Sequence, residues 1–195
     1  MTDTNRTQAP VHRRCKQQRR LWRSTFPDYA GLVAGAATPA IAALLDDGAD
    51  HEILRYRHDP RAESFGEEAV AELAAAHGLA PEQIFKTLIL AVPGGLAVAV
   101  LPVPSKLSLK AAAAALGVPK AAMAERAAAE RSTGYVLGGI SPLGQRKALP
   151  TVIDSSALQW DRVLCSAGKR GWDVALTPSD LVRLTVGVTG DIRAT

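Results

Sequence analysis

The longest apolar stretch of the chain, residues 88–104, restricts the possible folds more than any other feature of the sequence. It approaches the length of a membrane-spanning helix, but Pro93, Gly94 and Gly95 interrupt it in the middle. Such residues are typical of a tight turn, and the flanking segments are apolar and partly β-branched. We therefore expect two adjacent antiparallel strands, over residues 84–91 and 96–101, and no membrane span.

The charge of the chain is unevenly distributed. The 195 residues are 47% apolar and 22% charged, which suits one sizeable core and excludes collagenous, disordered and membrane proteins. Lys and Arg number 23 against 19 Asp and Glu, and residues 1–36 hold seven of the basic and two of the acidic groups. This segment therefore carries +5 and the remainder carries −1. We expect residues 1–36 to be a basic, disordered arm and residues 37–195 to be one folded domain.

The two cysteines bear on the cellular compartment and on metal binding. Cys15 and Cys165 are far apart, with no CxxC pair and no zinc-site spacing, so we expect no metal and no cofactor. A reducing, cytoplasmic location fits this usage. The N-terminus lacks the apolar core of a secretory signal, although the Arg-rich stretch 6–23 is compatible with a transit peptide.

Capping residues and turns divide the domain into short elements. Four predicted helices begin at a hydroxyl N-cap, namely at Thr38, Ser64, Ser108 and Thr177. An alanine-rich run predicts a further helix over residues 120–130. Additional strands are predicted over residues 51–56, 151–154, 162–166 and 173–176. Because no βαβ rhythm is present, we expect a mixed α/β fold with an antiparallel-dominated, barrel-like sheet and surrounding helices.

The segment 131–145 is unusually rich in glycine. Its four glycines leave backbone N–H groups accessible and permit close approach of a ligand, as in an anion nest or an oxyanion hole. An ordinary loop with turn glycines would have the same composition. The segment is not a serine-hydrolase elbow, because position 143 is leucine.

Lys86 interrupts the first strand of the predicted hairpin. It shares a face with Ile84, Leu88 and Leu90. If that face is buried, a carboxylate or a bound phosphate must offset the ammonium charge. Alternatively, the lysine lies at the start of the strand and extends to water.

Two further groups of polar residues occupy predicted turns. Tyr56, His58 and Asp59 lie where a strand ends, which is a common position for functional groups, although Asp59 could serve the turn alone. Lys169 and Arg170 form a compact basic turn that either contacts a phosphate or is simply solvated.

Six short segments together resemble the YbaK family, the free-standing aminoacyl-tRNA deacylases related to the editing domain of prolyl-tRNA synthetase. The segments occur in family order and are YRHDP at 56–60, FKTL at 85–88, RSTGY at 131–135, GGISPLGQ at 138–145, LPTVID at 149–154 and GKRG at 168–171. The resemblance covers residues 37–195, and its most specific part is GGISPLGQ.

The resemblance implies a barrel-like mixed sheet and a trans-editing activity on Cys-tRNA(Pro). In that family the thiol of the substrate attacks its own ester, so no protein nucleophile is implied. Aminoacyl-tRNA is the expected partner, with prolyl-tRNA synthetase and an elongation factor as further expected partners and no membrane association. Alternatives are deacylation of Ala-tRNA(Pro) and a non-catalytic tRNA-binding module.

The resemblance also assigns roles to residues. It implies that Lys86 contacts the terminal adenosine or its phosphate, that Tyr56 lines the aminoacyl pocket, and that 139–141 present donors to the ester. Lys86, Gly139 and Ser141 are then the expected catalytic residues. The other expected substrate-binding residues are Thr87, Gly134, Gly138, Ile140, Asp154, Lys169 and Arg170.

Overall fold

The computed structural model describes residues 38–58 and 65–194. The predicted basic arm and the predicted cap at Ser64 lie outside these residues. The helices described are α1 Pro39–Asp47, α2 Phe65–His77, α3 Leu109–Ala115, α4 Arg126–Thr133 and α5 Pro178–Thr185, with short 3-10 helices at Pro81–Gln83 and Ser155–Gln159. The strands are β1 His51–Arg55, β2 Phe85–Val92, β3 Gly95–Pro102, β4 Ala122–Met123, β5 Thr151–Asp154, β6 Val163–Lys169, β7 Trp172–Leu176 and β8 Val188–Gly190. None of the described helices is long and apolar enough to cross a membrane.

Side-chain caps fix where three of the helices begin. The hydroxyl oxygens of Thr38, Ser108 and Thr177 accept hydrogen bonds from backbone N–H groups at Ile41, Ala111 and Asp180, at 3.3, 3.3 and 3.1 Å. Each cap satisfies a backbone donor that the first helical turn leaves without a partner. The predicted starts of α1, α3 and α5 are therefore confirmed.

The strands form two sheets. One has the order β1-β7-β6 and is antiparallel, and the other has the order β4-β2-β3-β5-β8. In the larger sheet β3, β5 and β8 run parallel, whereas β2 is antiparallel to both neighbours. A parallel bridge between Ile84 and Leu164 links the start of β2 to β6. The mixed, antiparallel-dominated fold is confirmed, and closure into a barrel stays a prediction.

The predicted hairpin is β2 and β3. Their register pairs Phe85 with Pro102 at one end and Val92 with Gly95 at the other. Pro93 and Gly94 form the turn, and Gly94 has a φ of 88°, a conformation that favours glycine. The hairpin is buried on both faces: Phe85 and Ile89 belong to one apolar cluster, and the alternate residue Leu90 belongs to another.

The helix predicted over residues 120–130 is wrong in its first half. Ala122 and Met123 form β4, whose register partners are Ala91 and Leu90 of β2, and α4 begins only at Arg126. The hydrogen bonds available at the edge of β2 outweigh the helical preference of alanine. The sequence analysis also missed β8, which completes the other edge of the same sheet.

Candidate functional site

A cavity of about 310 Å³ lies where both sheets, α2 and the glycine-rich segment meet. The start of β2 and the facing ends of β6 and β7 supply its polar groups. Its lining residues are Tyr56, Phe65, Gly66, Glu67, Ala69, Ile84, Phe85, Lys86, Thr87, Leu88, Val103, Leu137, Gly138, Ile140, Ser166, Lys169, Trp172 and Asp173. Of the eleven residues predicted for the site, six line this cavity, namely Tyr56, Lys86, Thr87, Gly138, Ile140 and Lys169.

Lys86 enters the cavity from β2 and is only half-buried. Its Nζ donates hydrogen bonds to the backbone carbonyls of Val103 at 2.9 Å and Ser105 at 2.6 Å. Two carbonyls just after β3 thus contact the ammonium, and its expected contact with the terminal adenosine or its phosphate stays a prediction. Burial lowers the pKa of Lys86, and the nearby Glu67 opposes that shift. An ammonium group has three donors, so one remains for a ligand.

Asp173 is the buried acidic residue of the cavity, which Glu67 also lines, and it was not among the site residues predicted from the sequence. The residue lies on β7, is 5% exposed, and makes no hydrogen bond or ion pair through its carboxyl to any of the described residues. Burial raises its pKa to about 7. Burial and then the charge of Asp173 raise the pKa of Tyr56. The available signal was an aspartate flanked by Trp172 and Val174 within a strand. A buried charge is costly unless it has a partner, so an aspartate at such a position indicates either a partner or a functional role.

Two aliphatic hydroxyls also line the cavity. The Thr87 hydroxyl is buried and has no hydrogen-bond partner among the described residues. Ser166 lies opposite Asp173 in the register of β6 and β7, and its hydroxyl accepts a hydrogen bond from the N–H of Gly168 at 3.3 Å. No histidine is among the described residues that line the cavity, so neither hydroxyl has an imidazole base beside it.

The glycine-rich segment contributes backbone groups on one side of the cavity. Gly138 and Ile140 line it, and among the described residues no hydrogen bond engages their N–H groups. Gly139 does not line the cavity, and its N–H donates to the carbonyl of Val136 at 3.0 Å. The N–H groups that have no hydrogen bond to a described residue are those of its two neighbours, and the expected donor role of Gly139 stays a prediction.

Ser141 also lies away from the cavity surface. It is fully buried, its hydroxyl oxygen accepts from the N–H of Leu143 at 3.2 Å, and its carbonyl accepts from the Gln145 side chain at 2.8 Å. The Tyr135 hydroxyl donates to the carbonyl of Leu143 at 2.8 Å, which braces the same loop. These hydrogen bonds give Ser141 a role in the shape of the loop, and its expected contact with the ester stays a prediction.

Gly134 and Asp154 do not line the cavity either. Gly134 ends α4 in a left-handed conformation with a φ of 81°. The buried carboxylate of Asp154 accepts from the N–H groups of Ser156 and Ile192, each at 3.0 Å, and forms an ion pair with Arg193 at 3.2 Å. These contacts give both residues a structural role, and their expected contacts with the substrate stay predictions.

Two cationic side chains, Lys169 and Arg170, lie at or near the cavity where β6 turns into β7. Lys169 lines the cavity. Arg170 does not line it but contacts two residues that do, Leu137 and Phe65. The Arg170 Nε donates to the carbonyl of Leu137 at 3.0 Å, and its guanidinium lies 4.7 Å from the centroid of the Phe65 ring. The cavity is therefore lined by two lysines, Lys86 and Lys169, and by two carboxyl groups, those of Glu67 and Asp173.

The buried thiol of Cys165 lies outside the cavity lining. Burial, with a smaller effect of Asp173, raises its pKa, so the thiol stays protonated at neutral pH. The described residues also contain no group of three His, Cys, Asp or Glu side chains arranged to hold a metal ion.

Comparisons with known proteins identify the family. A candidate Cys-tRNA(Pro)/Cys-tRNA(Cys) deacylase of Enterococcus faecalis, EbsC, is 39% identical over 126 residues, which cover 64% of this chain and 75% of that protein. The fold is similar to the crystal structure of a candidate trans-editing enzyme for prolyl-tRNA synthetase, with a TM-score of 0.71 and 24% identity over 84% of this chain and 99% of that one. Residues 66–184 match the aminoacyl-tRNA editing domain, and the chain therefore belongs to this family, as its resemblance to the YbaK deacylases predicts.

Proposed function

We propose that this protein is an aminoacyl-tRNA deacylase that acts on mischarged Cys-tRNA(Pro). The observation that carries the proposal is the composition of the cavity, which combines an ammonium group, a buried carboxyl and backbone N–H donors without a histidine. Family membership and the similarity to the Enterococcus faecalis relative support the same activity.

Each polar group of the cavity has a role in this proposal. The Asp173 carboxylate, which has no partner among the described residues, accepts hydrogen bonds from the α-ammonium group of the aminoacyl ester. The remaining donor of Lys86 binds the terminal adenosine or its phosphate. The N–H groups of Gly138 and Ile140 stabilise the negative charge that develops on the carbonyl oxygen.

The nucleophile is the sulfur of the substrate. The cysteinyl thiol loses its proton, its sulfur attacks the carbonyl carbon of its own ester, and the bond from that carbon to the ribose oxygen breaks. The ribose oxygen takes up a proton, and the products are uncharged tRNA and a cyclic thiolactone that water can open. Because the attack is intramolecular, the protein supplies positioning and charge stabilisation.

Deacylation of a set of charged tRNAs tests this function. Wild-type protein should release the amino acid from Cys-tRNA(Pro) and leave Pro-tRNA(Pro) intact, and Ser-tRNA should react far more slowly because its hydroxyl remains protonated. Faster release from Ala-tRNA(Pro) would assign the alanyl activity instead. Binding of tRNA without cleavage of any of the esters would identify a non-catalytic module.

A cysteine variant tests whose sulfur reacts. Cys165→Ala should retain the activity on Cys-tRNA(Pro), because this thiol lies outside the cavity lining and stays protonated. Equal rates on cysteinyl and seryl esters would contradict attack by the substrate thiol.

Two further parts of the proposal concern the whole chain. We propose that residues 37–195 suffice for the reaction, so deletion of residues 1–36 should leave kcat unchanged.

We also propose that prolyl-tRNA synthetase or an elongation factor delivers the charged tRNA. Co-sedimentation of the protein, tRNA and either partner tests delivery, and absence of a ternary complex with both would contradict it.

A further inference from the structure

Three side chains form a row across the three-stranded sheet, and two of them, Trp172 and Lys169, line the cavity. Arg55 on β1 and Lys169 on β6 are the register partners of Trp172 on β7. Directly opposed residues of neighbouring strands project from the same face of a sheet. The Arg55 guanidinium carbon lies 3.8 Å from the centroid of the Trp172 ring, and the Lys169 Nζ lies 4.9 Å from it. Both distances are within the range of cation–π interactions.

The charges of this row are not neutralised by acidic partners. Among the described residues no ion pair joins Arg55 or Lys169 to a carboxylate. By contrast, the guanidinium of Arg183 is paired with both Asp47 and Asp180. An aromatic ring restrains a cation while leaving its full charge and most of its N–H donors available. The row therefore presents two restrained cations, without carboxylate partners among the described residues, beside the cavity wall formed by Trp172 and Lys169.

We infer that Arg55, Trp172 and Lys169 form a phosphate clamp for the single-stranded 3′ end of the tRNA. The inference rests on the proposed function, because an aminoacyl adenosine inside the cavity would place the preceding phosphodiester beside the part of the wall that Lys169 and Trp172 line. Arg55 and Lys169 bind that phosphodiester, since a guanidinium fork fits two phosphate oxygens. Trp172 is a positioning residue that restrains the guanidinium before binding.

An oligonucleotide without an amino acid tests the clamp separately from catalysis. The probe is a fluorescein-labelled RNA hexanucleotide ending in CCA, and its Kd is measured by anisotropy between 50 and 200 mM salt. Arg55→Gln should weaken binding about five-fold, as loss of one partly exposed ion pair would. The slope of log Kd against log salt should become shallower by about 0.7, the value for one phosphate contact in a single strand.

Lys110→Gln is the matched control, because it removes the same charge from an exposed residue of α3 that does not line the cavity. It should leave both the Kd and the slope unchanged. An unchanged slope in Arg55→Gln would overturn the clamp, as would an equal loss of affinity in the control.

Trp172 variants test restraint of the cation. Trp172→Leu should weaken binding while leaving the salt slope unchanged, because the charges remain and only the ring is lost. Trp172→Phe should recover most of the affinity, since a ring is restored. Thermal melting verifies that each variant is folded, and wild-type affinity in a folded Trp172→Leu variant would contradict the positioning role.

Kinetics on charged tRNA separate this inference from the proposed function. Arg55→Gln should raise KM for Cys-tRNA(Pro) with kcat unchanged, because the residue contacts the nucleic acid and not the reacting ester. If the wild type cleaves no ester but Arg55→Gln still changes the salt slope, the proposed function fails and the clamp is supported. If the wild type cleaves the ester but Arg55→Gln changes neither the slope nor KM, the clamp is overturned and the proposed function stands.

Discussion

Asp173 links the chemistry of the cavity to the stability of the fold. Burial raises its pKa to about 7, from an ordinary value of 3.8 in the unfolded chain, so the folded protein binds this proton more tightly. The contribution of Asp173 to stability is therefore present below pH 3.8 and is lost as the pH rises to about 7. The fold is therefore less stable at neutral pH than it would be with a protonated Asp173, and in the proposed function this buried carboxylate binds the substrate.

Asp173→Asn should remove this pH dependence. The free energy of unfolding of the variant, relative to wild type, should increase between pH 5 and pH 8, because only the wild type must keep a charged carboxyl buried. Urea unfolding of both proteins across this range provides the measurement. Parallel curves for the two proteins would show that burial does not perturb this carboxyl.

Lys86 should matter more for activity than for stability. Lys86→Met keeps most of the side-chain volume but leaves the carbonyls of Val103 and Ser105 without their donor. Because these carbonyls adjoin the open cavity, water can replace the ammonium, and we expect a stability loss of about 1 kcal/mol. We expect deacylation of Cys-tRNA(Pro) to slow by about 100-fold, as when a positioned donor is removed from an active site. Lys110→Met, on α3, serves as the control and should change neither quantity.

At the scale of elements, the glycine-rich segment shows why its composition alone was ambiguous. Gly138 packs against the ring of Phe65, and Gly144 packs against the backbone of Pro39, where an added Cβ would come within 2.6 and 2.3 Å. These glycines permit close packing of the loop against α2 and α1. The same packing directs the backbone of Gly138 and Ile140 toward the cavity lining, so the loop serves both the fold and the candidate site.

Two glycine variants separate backbone strain from packing. Gly94 and Gly138 have similar φ values of 88° and 85°, but an added Cβ has nothing within 4 Å at Gly94. In Gly94→Ala the free energy of unfolding should fall by about 1–2 kcal/mol, because alanine disfavours the left-handed conformation. In Gly138→Ala the free energy of unfolding should fall by about 1–3 kcal/mol more than in Gly94→Ala, because the added methyl group displaces Phe65. Equal losses in urea unfolding would show that α2 shifts freely.

The backbone is strained at Val186, the residue that follows α5. Val186 is 89% exposed and has a φ of 48°, a left-handed conformation that disfavours β-branched side chains. Val186→Gly should raise the melting temperature by about 2–4 °C, which corresponds to about 1 kcal/mol for a domain of this size. Val188→Gly, at another exposed valine but within strand β8, should lower it. A decrease in both variants would contradict the assignment of strain to Val186.

The sequence predicted those elements whose signals are local. Thr38, Ser108 and Thr177 cap helices through contacts three residues away, and such contacts can be read from spacing. Strands β4 and β8 could not be predicted in this way, because their stability depends on β2 and β5, which are distant in sequence. Alanine at the position of β4 even favours the wrong element.

At the scale of the whole molecule, the cavity depends on contacts that sequence spacing does not reveal. Lys86 and Asp173 lie 87 positions apart in the sequence. They line the same cavity only because the first residues of β2 and β7 face it. Asp154 was the aspartate assigned to the pocket, yet its carboxylate is occupied by Ile192 and Arg193. Both aspartates end or interrupt apolar runs, so only the assembled fold distinguishes the structural carboxylate from the cavity carboxylate.

Removing residues 191–195 tests the structural role of Asp154. The truncation removes the fully buried Ile192 and leaves the Asp154 carboxylate without Arg193. We expect a loss of at least about 3 kcal/mol, measured by urea unfolding, from the lost apolar burial and the uncompensated charge. Deleting only residues 194 and 195 removes, among the described residues, the hydrogen bond from the N–H of Ala194 to the carbonyl of Lys106, and it should have little effect.

The contact between Asp154 and Ile192 also bears on the order in which the protein is synthesised. The two residues are 38 positions apart, so a nascent chain that has reached residue 190 contains the whole of β5 but not the donor that its last carboxylate requires. The larger sheet can therefore reach its final stability only after residue 193 has left the ribosome. Until then β8 can already pair with β5, but the Asp154 carboxylate lacks the N–H of Ile192 and the guanidinium of Arg193.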